Sequence, residues 1–206
     1  LFSSFCLLIV INGSNFIDGL NGLVLGYYLT ITSIMFKLGF LRSLGLDDEK
    51  IFFFILVIIC LFLFNIFNDL YIGDSGAYLL GFIFGYVLIM IYQLNQFLSP
   101  YFIVLLLWYP CFENLFSIMR KYQLKKSPTL PDTKHFHQLL FYFIKKKFAY
   151  SNFASNNLAS FTIIFYNLLV FLIGSNFFTQ SKILIILIIF NIITYIFLYK
   201  KLLFYK

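Results

Sequence analysis

Ile51–Phe67 reads IFFFILVIICLFLFNIF, an apolar run without a charge and with one amide, Asn65. A helix of this length falls within the roughly 17–25 residues that cross the hydrocarbon layer of a bilayer. The run lacks the period-two alternation of a barrel strand. Comparable runs fall at 20–36, 79–94, 101–118, 158–173 and 183–198, while residues 1–11 are apolar but too short to span. Only 11% of the chain is charged and 62% is hydrophobic, against about 25% charged in soluble domains. The expected fold is therefore an all-α integral membrane protein, a polytopic transmembrane helix bundle forming one domain over 1–206.

The net charge of +7 marks a membrane face here, not a nucleic-acid binder. Each span carries the chain to the opposite side, so Asp18, Asp74, the polar segment 119–157 and the C-terminal tail share one face. That face holds eleven Lys and Arg residues; the opposite loops hold four, Lys37, Arg42, Lys50 and Lys182. By the positive-inside rule the shared face is cytoplasmic, 119–157 is a cytosolic loop, and the protein is multi-pass in the cytoplasmic membrane. Lys145–Lys147 reads equally as an anchor on anionic lipid or as a collector of anionic substrate. Cys6, Cys60 and Cys111 form no CxxC and have no histidine nearby, so they read as packing residues. The chain opens on Leu1 without a charged leader, which leads us to expect further sequence upstream, with 1–11 the tail of a longer helix.

Polar groups gather at three places. Residues 12–25, NGSNFIDGLNGLVL, hold Asn12, Asn15, Asp18 and Asn21 among glycines, and residues 68–77, NDLYIGDSGA, hold Gly73 and Asp74. Carboxylates beside glycines at helix ends suit a hard divalent cation, but by local sequence alone each reads first as flanking a helix start. Lys134, His135 and His137 lie in the polar segment. Their spacing is poor for a helical zinc site, and either phosphate contact or simple solvation is open. Glu113, inside an apparent span, is either a functional group or the partner of Arg120 or Lys121.

Taken in order, these clusters resemble the polyprenyl-phosphate N-acetylhexosamine-1-phosphate transferases, bacterial membrane enzymes that start lipid-linked glycan assembly. Residues 12–23 resemble the family stretch NxxNxxDGxDGL, and residues 71–81, YIGDSGAYLLG, resemble FxGDxGSxxxG. Glu113–Lys121 is similar to the segment leading into the family's cytosolic loop, and residues 127–138, SPTLPDTKHFHQ, resemble SPxxPDxxHxHH. The resemblance implies an active site on the cytoplasmic face. There N-acetylhexosamine-1-phosphate would pass from a UDP-sugar to polyprenyl (undecaprenyl) phosphate, with release of UMP. It implies Mg²⁺ (or Mn²⁺) on Asp74 and Asp18, the diphosphate on His135 and His137, and substrate contacts from Asn12, Asn15, Asn21, Gly73 and Lys134. A homodimer is compatible with this reading.

Four departures accompany the resemblance. The family's Asp-Asp motif would lie before Leu1, Asn21 stands for the second aspartate of the first motif, Gln138 stands for the last histidine of the loop, and the usual proline before the GD pair is absent. Two other readings follow from the residues: an inactive remnant of the transferase, or a carrier or channel using Glu113 and helices broken near Asp18 and Asp74. The carrier would need midplane sites and an internal repeat.

Overall fold

The structure, a computed structural model, describes residues 2–125 and 134–205. These form a bundle of nine α-helices, with no strand among the described residues: α1 Phe2–Ile17, α2 Leu23–Lys37, α3 Asp48–Ile66, α4 Gly73–Leu94, α5 Pro100–Leu106, α6 Trp108–Gln123, α7 Phe136–Phe148, α8 Asn152–Ser175 and α9 Ser181–Leu203. Four of these, α3, α4, α8 and α9, are individually long and apolar enough to cross a membrane. Large apolar side chains lie bare on their outer faces, among them Phe52, Phe53, Ile186 and Phe197, as suits surroundings of hydrocarbon. The three cysteines are unpaired. Cys60 lies exposed on α3 instead of packing inside, while Cys6 and Cys111 are half-buried.

The apolar run 101–118 is not one helix. It breaks at Leu107, where α5 and α6 meet at 71°. Pro110 explains the break: it has no N–H for the carbonyl four residues earlier, that of Leu106, and its ring crowds that carbonyl. The freed Leu106 oxygen instead accepts from the Tyr27 hydroxyl at 2.7 Å, so the bend leaves that carbonyl satisfied. Ser99 caps α5 by accepting from Tyr101 N–H at 3.3 Å, with Pro100 in the first turn where its missing donor is harmless.

The first polar stretch also differs from expectation. The helix does not stop at residue 11; α1 runs on to Ile17. Asn12 returns its amide to Leu8 O at 2.9 Å and Ser14 its hydroxyl to Val10 O at 2.8 Å, which lets polar side chains stay helical. Because lipid offers helices little hydrophobic drive to associate, close contact through small residues must supply it. A Cβ on Gly13 would lie 2.2 Å from the backbone oxygen of Pro110, and one on Gly81 would lie 2.6 Å from Ser14 Oγ. These two contacts set α1 directly against α6 and α4.

The polar segment 119–157 contains a helix, α7, between a longer α6 and an earlier α8 start than the apolar runs mark. Its N-cap is His135, whose backbone N–H donates to Gln138 Oε1 at 3.3 Å, one half of a capping box. Gln138 thus has a structural task in the place of the family's last histidine. Lys145–Lys147 sit in the last turn of α7, where cations favour the negative end of the helix dipole.

Candidate active site

The turn 18–22 between α1 and α2 is the hub of one end of the bundle. Asp18 is half-buried there, just past the end of α1. Burial, and secondarily the charge of Asp74, raise its carboxyl from the usual carboxylate range to about 6. Asp74 is exposed in the first turn of α4, after Gly73, whose φ of 63° favours glycine. Asn15 joins the two helices by donating to the Tyr78 hydroxyl at 3.0 Å, one turn beyond Asp74.

Asn21 serves chain connections. Its backbone N–H donates to Asn156 Oδ1 at 2.8 Å and its amide donates to Asn68 Oδ1. The same turn is held from α3, where Asn65 accepts from Gly22 N–H and donates to Leu70 O at 2.7 Å. Asn12 is exposed on α1, bonded back to its own helix.

The histidines close over this turn. Both are buried, His135 at 8% exposure and His137 at 1%, which excludes the solvated-loop reading. Because His135 is in extended conformation at the N-cap while His137 is already helical, their rings stack, with centroids 5.6 Å apart and planes within 5°. A Cβ on Gly19 would lie 2.2 Å from His137 Nε2, so only a glycine beside Asp18 admits that ring. Both His137 nitrogens are buried and have no hydrogen-bond partner among the described residues, an arrangement that calls for a ligand or water. Burial above all lowers the His137 pKa to about 4, keeping the imidazole neutral at pH 7.

Glu113 pairs with neither Arg120 nor Lys121 in the way the sequence invites. Its carboxylate accepts from His135 Nδ1 at 2.9 Å and from the Tyr195 hydroxyl at 2.7 Å. Arg120 instead donates to Lys134 O at 2.6 Å and to the Tyr199 hydroxyl. Lys134 is exposed, lining a cavity of about 400 Å³ with Arg120, Tyr199 and Lys200. Sequence reasoning missed Tyr195, Asn68 and Asn156. Each joins the site across a long chain separation, Tyr195 from within the apolar run 183–198 and the two asparagines from the polar stretches 68–77 and 119–157. Ser127–Thr133, the first part of the histidine motif, lies outside the described residues.

Among the described residues no three His, Cys, Asp or Glu side chains gather as a metal cage. Two neighbouring carboxylates do fit a hard divalent cation whose remaining ligands are substrate phosphates and water. Burial is the larger cause of the raised Asp18 pKa, and the charge of Asp74, the smaller one, places the two carboxylates within electrostatic reach of each other.

A stability prediction follows from His137. Its folded pKa lies below the unfolded value of 6.5, so the unfolded state binds more protons, and stability is present above pH 6.5 and lost as pH falls toward 4. Between pH 7 and 5 this amounts to about 2 kcal/mol. Asp18, with its raised pKa, acts in the opposite direction. Thermal unfolding of wild type and His137→Gln at both pH values isolates the histidine: the variant's stability relative to wild type is expected to rise on acidification. An unchanged difference would contradict the buried neutral ring.

Residues 1–92, which carry Asp18 and Asp74, match the family described as Glycosyl transferase family 4. The chain is 30% identical to the decaprenyl-phosphate N-acetylglucosaminephosphotransferase of Mycolicibacterium smegmatis, over 64% of this chain and 37% of that protein. It is 28% identical to the undecaprenyl-phosphate alpha-N-acetylglucosaminyl 1-phosphate transferase of Thermotoga maritima, over 63% of this chain and 39% of that protein. The chain thus spans about two-fifths of the length of these relatives. No solved structure matches it. The stretch that bears Asp18 and Asp74 is thus the part that resembles glycosyl transferase family 4, and both relatives are named as transferases acting on polyprenyl phosphates.

Proposed function

We propose that this chain carries the reacting centre of an enzyme that moves N-acetylhexosamine-1-phosphate from a UDP-sugar to polyprenyl phosphate. The observation that carries this reading is the meeting of Asp18 and Asp74 with the stacked His135 and His137 around one turn. An oxygen of the lipid phosphate bonds to the β-phosphorus of the UDP-sugar, and the bond from that phosphorus to the bridging oxygen breaks. The electron pair leaves with UMP, and a lipid diphosphate sugar remains. Asp18 and Asp74 would hold Mg²⁺ or Mn²⁺, which when bound would neutralise charge between the two anionic reactants. The histidines serve the diphosphate: His137 brings two uncommitted ring nitrogens, and His135 presents Nε2 as a donor or proton holder.

Asn15 and Asn21 shape the wall that receives the nucleotide sugar, and Gly73 leaves backbone open beside Asp74. A site at the end of the bundle, on the cytoplasmic side of a bacterial inner membrane, gives access to a soluble nucleotide and a membrane-held prenyl chain alike. The test is UMP release by the full-length protein from UDP-N-acetylglucosamine and detergent-solubilised polyprenyl phosphate. Release is expected to require both substrates, to fall to background with EDTA, and to return with Mg²⁺ or Mn²⁺. Turnover that ignores the lipid phosphate would defeat the proposal.

A further inference from the structure

Glu113 is fully buried in α6, yet three donors converge on its carboxylate. His135 Nδ1 at 2.9 Å and Phe136 N–H at 3.4 Å reach Oε1, and the Tyr195 hydroxyl at 2.7 Å reaches Oε2. A carboxylate only accepts, so the proton between Glu113 and His135 sits on Nδ1. Ser117 Oγ lies 3.3 Å from the same nitrogen, whereas no described residue bonds Nε2. The ring faces are held as well: Phe16 lies 5.3 Å away on a tilt and His137 stacks in parallel.

Tyr195 is itself locked among Phe112, Phe116 and Phe136, at ring distances of 4.9–5.3 Å. The arrangement therefore runs from an aromatic cluster on α6, α7 and α9, through one carboxylate, to one imidazole. An acceptor behind Nδ1 fixes which tautomer a histidine adopts and favours the imidazolium formed when Nε2 takes a proton.

We propose that Glu113 and Tyr195 are positioning residues that hold His135 in the Nδ1–H tautomer, with Nε2 directed away from Glu113 for use by the diphosphate. This assignment rests on the transferase reading for its purpose, but its geometry can be tested separately. Tyr195 supplies the second anchor of the carboxylate, so that Glu113 cannot swing away from the histidine.

The test uses the full-length protein with ¹⁵N-labelled histidine, with His137→Gln to assign the resonances of this chain's two histidines. Wild type is expected to show a single Nδ1–H tautomer for neutral His135, and Glu113→Ala a mixture. Glu113→Gln retains an amide oxygen for Nδ1–H, so it should keep the tautomer and recover part of the rate. Outer partners of a functional histidine are typically worth 10–100-fold, so kcat should fall by about that factor in Glu113→Ala, with KM for the UDP-sugar nearly unchanged. Should Glu113→Ala not fold, Tyr195→Phe keeps the ring packing and removes only the hydroxyl, with about a tenfold loss expected. An unaltered tautomer in folded Glu113→Ala, or full activity in both Glu113→Gln and Tyr195→Phe, would overturn the proposal. A wild type that releases no UMP would instead defeat the transferase reading and leave the tautomer spectra to decide the role of Glu113.

Discussion

Asp74→Asn is expected to cut UMP release roughly 10²–10³-fold, the range seen when one preorganised group serving developing charge is removed. The substitution keeps the side chain's size and deletes its charge. Asp74 is exposed in the first turn of α4, so the folded protein should melt near the wild-type temperature. The loss belongs in kcat, because the interaction strengthens as the phosphate charge redistributes. Asp18 reports the change independently. Its raised pKa has two causes, burial first and Asp74 second, so removing Asp74 should lower it while burial keeps it above the usual carboxylate range. Ser33→Ala is the control: Ser33 is exposed and bonded to Leu29 O within its own helix, so turnover should hold within a few-fold. If Asp74→Asn matched that control, the metal assignment of Asp74 would fall.

What the sequence made legible was set by the range over which each signal acts. Long apolar runs announce spans because the requirement is local, and the bundle follows. Asp18 and Asp74 stand out because glycines and helix ends punctuate the chain on either side. The break at Leu107 was legible in principle from Pro110, but the apolar character of 101–118 masked it. Helix α7 could also have been found: Phe136, Leu139, Leu140, Phe143 and Ile144 recur at helical spacing, although its cationic end makes it resemble a polar loop. The partner of Glu113 could not be read. Arg120 and Lys121 are nearest in sequence, whereas His135 and Tyr195 lie 22 and 82 residues away and meet it only through packing of α6, α7 and α9. Asn21 shows the same limit, since its contacts reach Asn68 and Asn156.

Gly13→Ala tests that packing most severely. By helix propensity alone the change should stabilise α1 by about 1 kcal/mol. The new Cβ, however, would fall 2.2 Å from Pro110 O and 2.6 Å from Pro110 C, both backbone atoms that no rotamer change can move. Either α1 and α6 separate or α6 shifts along its bend, and overpacking of this kind typically costs about 1–3 kcal/mol or more. Gly174→Ala provides the comparison: its Cβ would meet Leu105 Cδ2 at 2.3 Å, the far end of a side chain, with the next atoms at 3.8 Å. Thermal unfolding in detergent should therefore fall several degrees further for Gly13→Ala than for Gly174→Ala. Activity should fall as well, since α6 carries Glu113 and a displaced α6 draws it from His135. Equal melting temperatures for the two variants would show that the α1–α6 contact yields as easily as a side chain, and that the site's geometry does not depend on it.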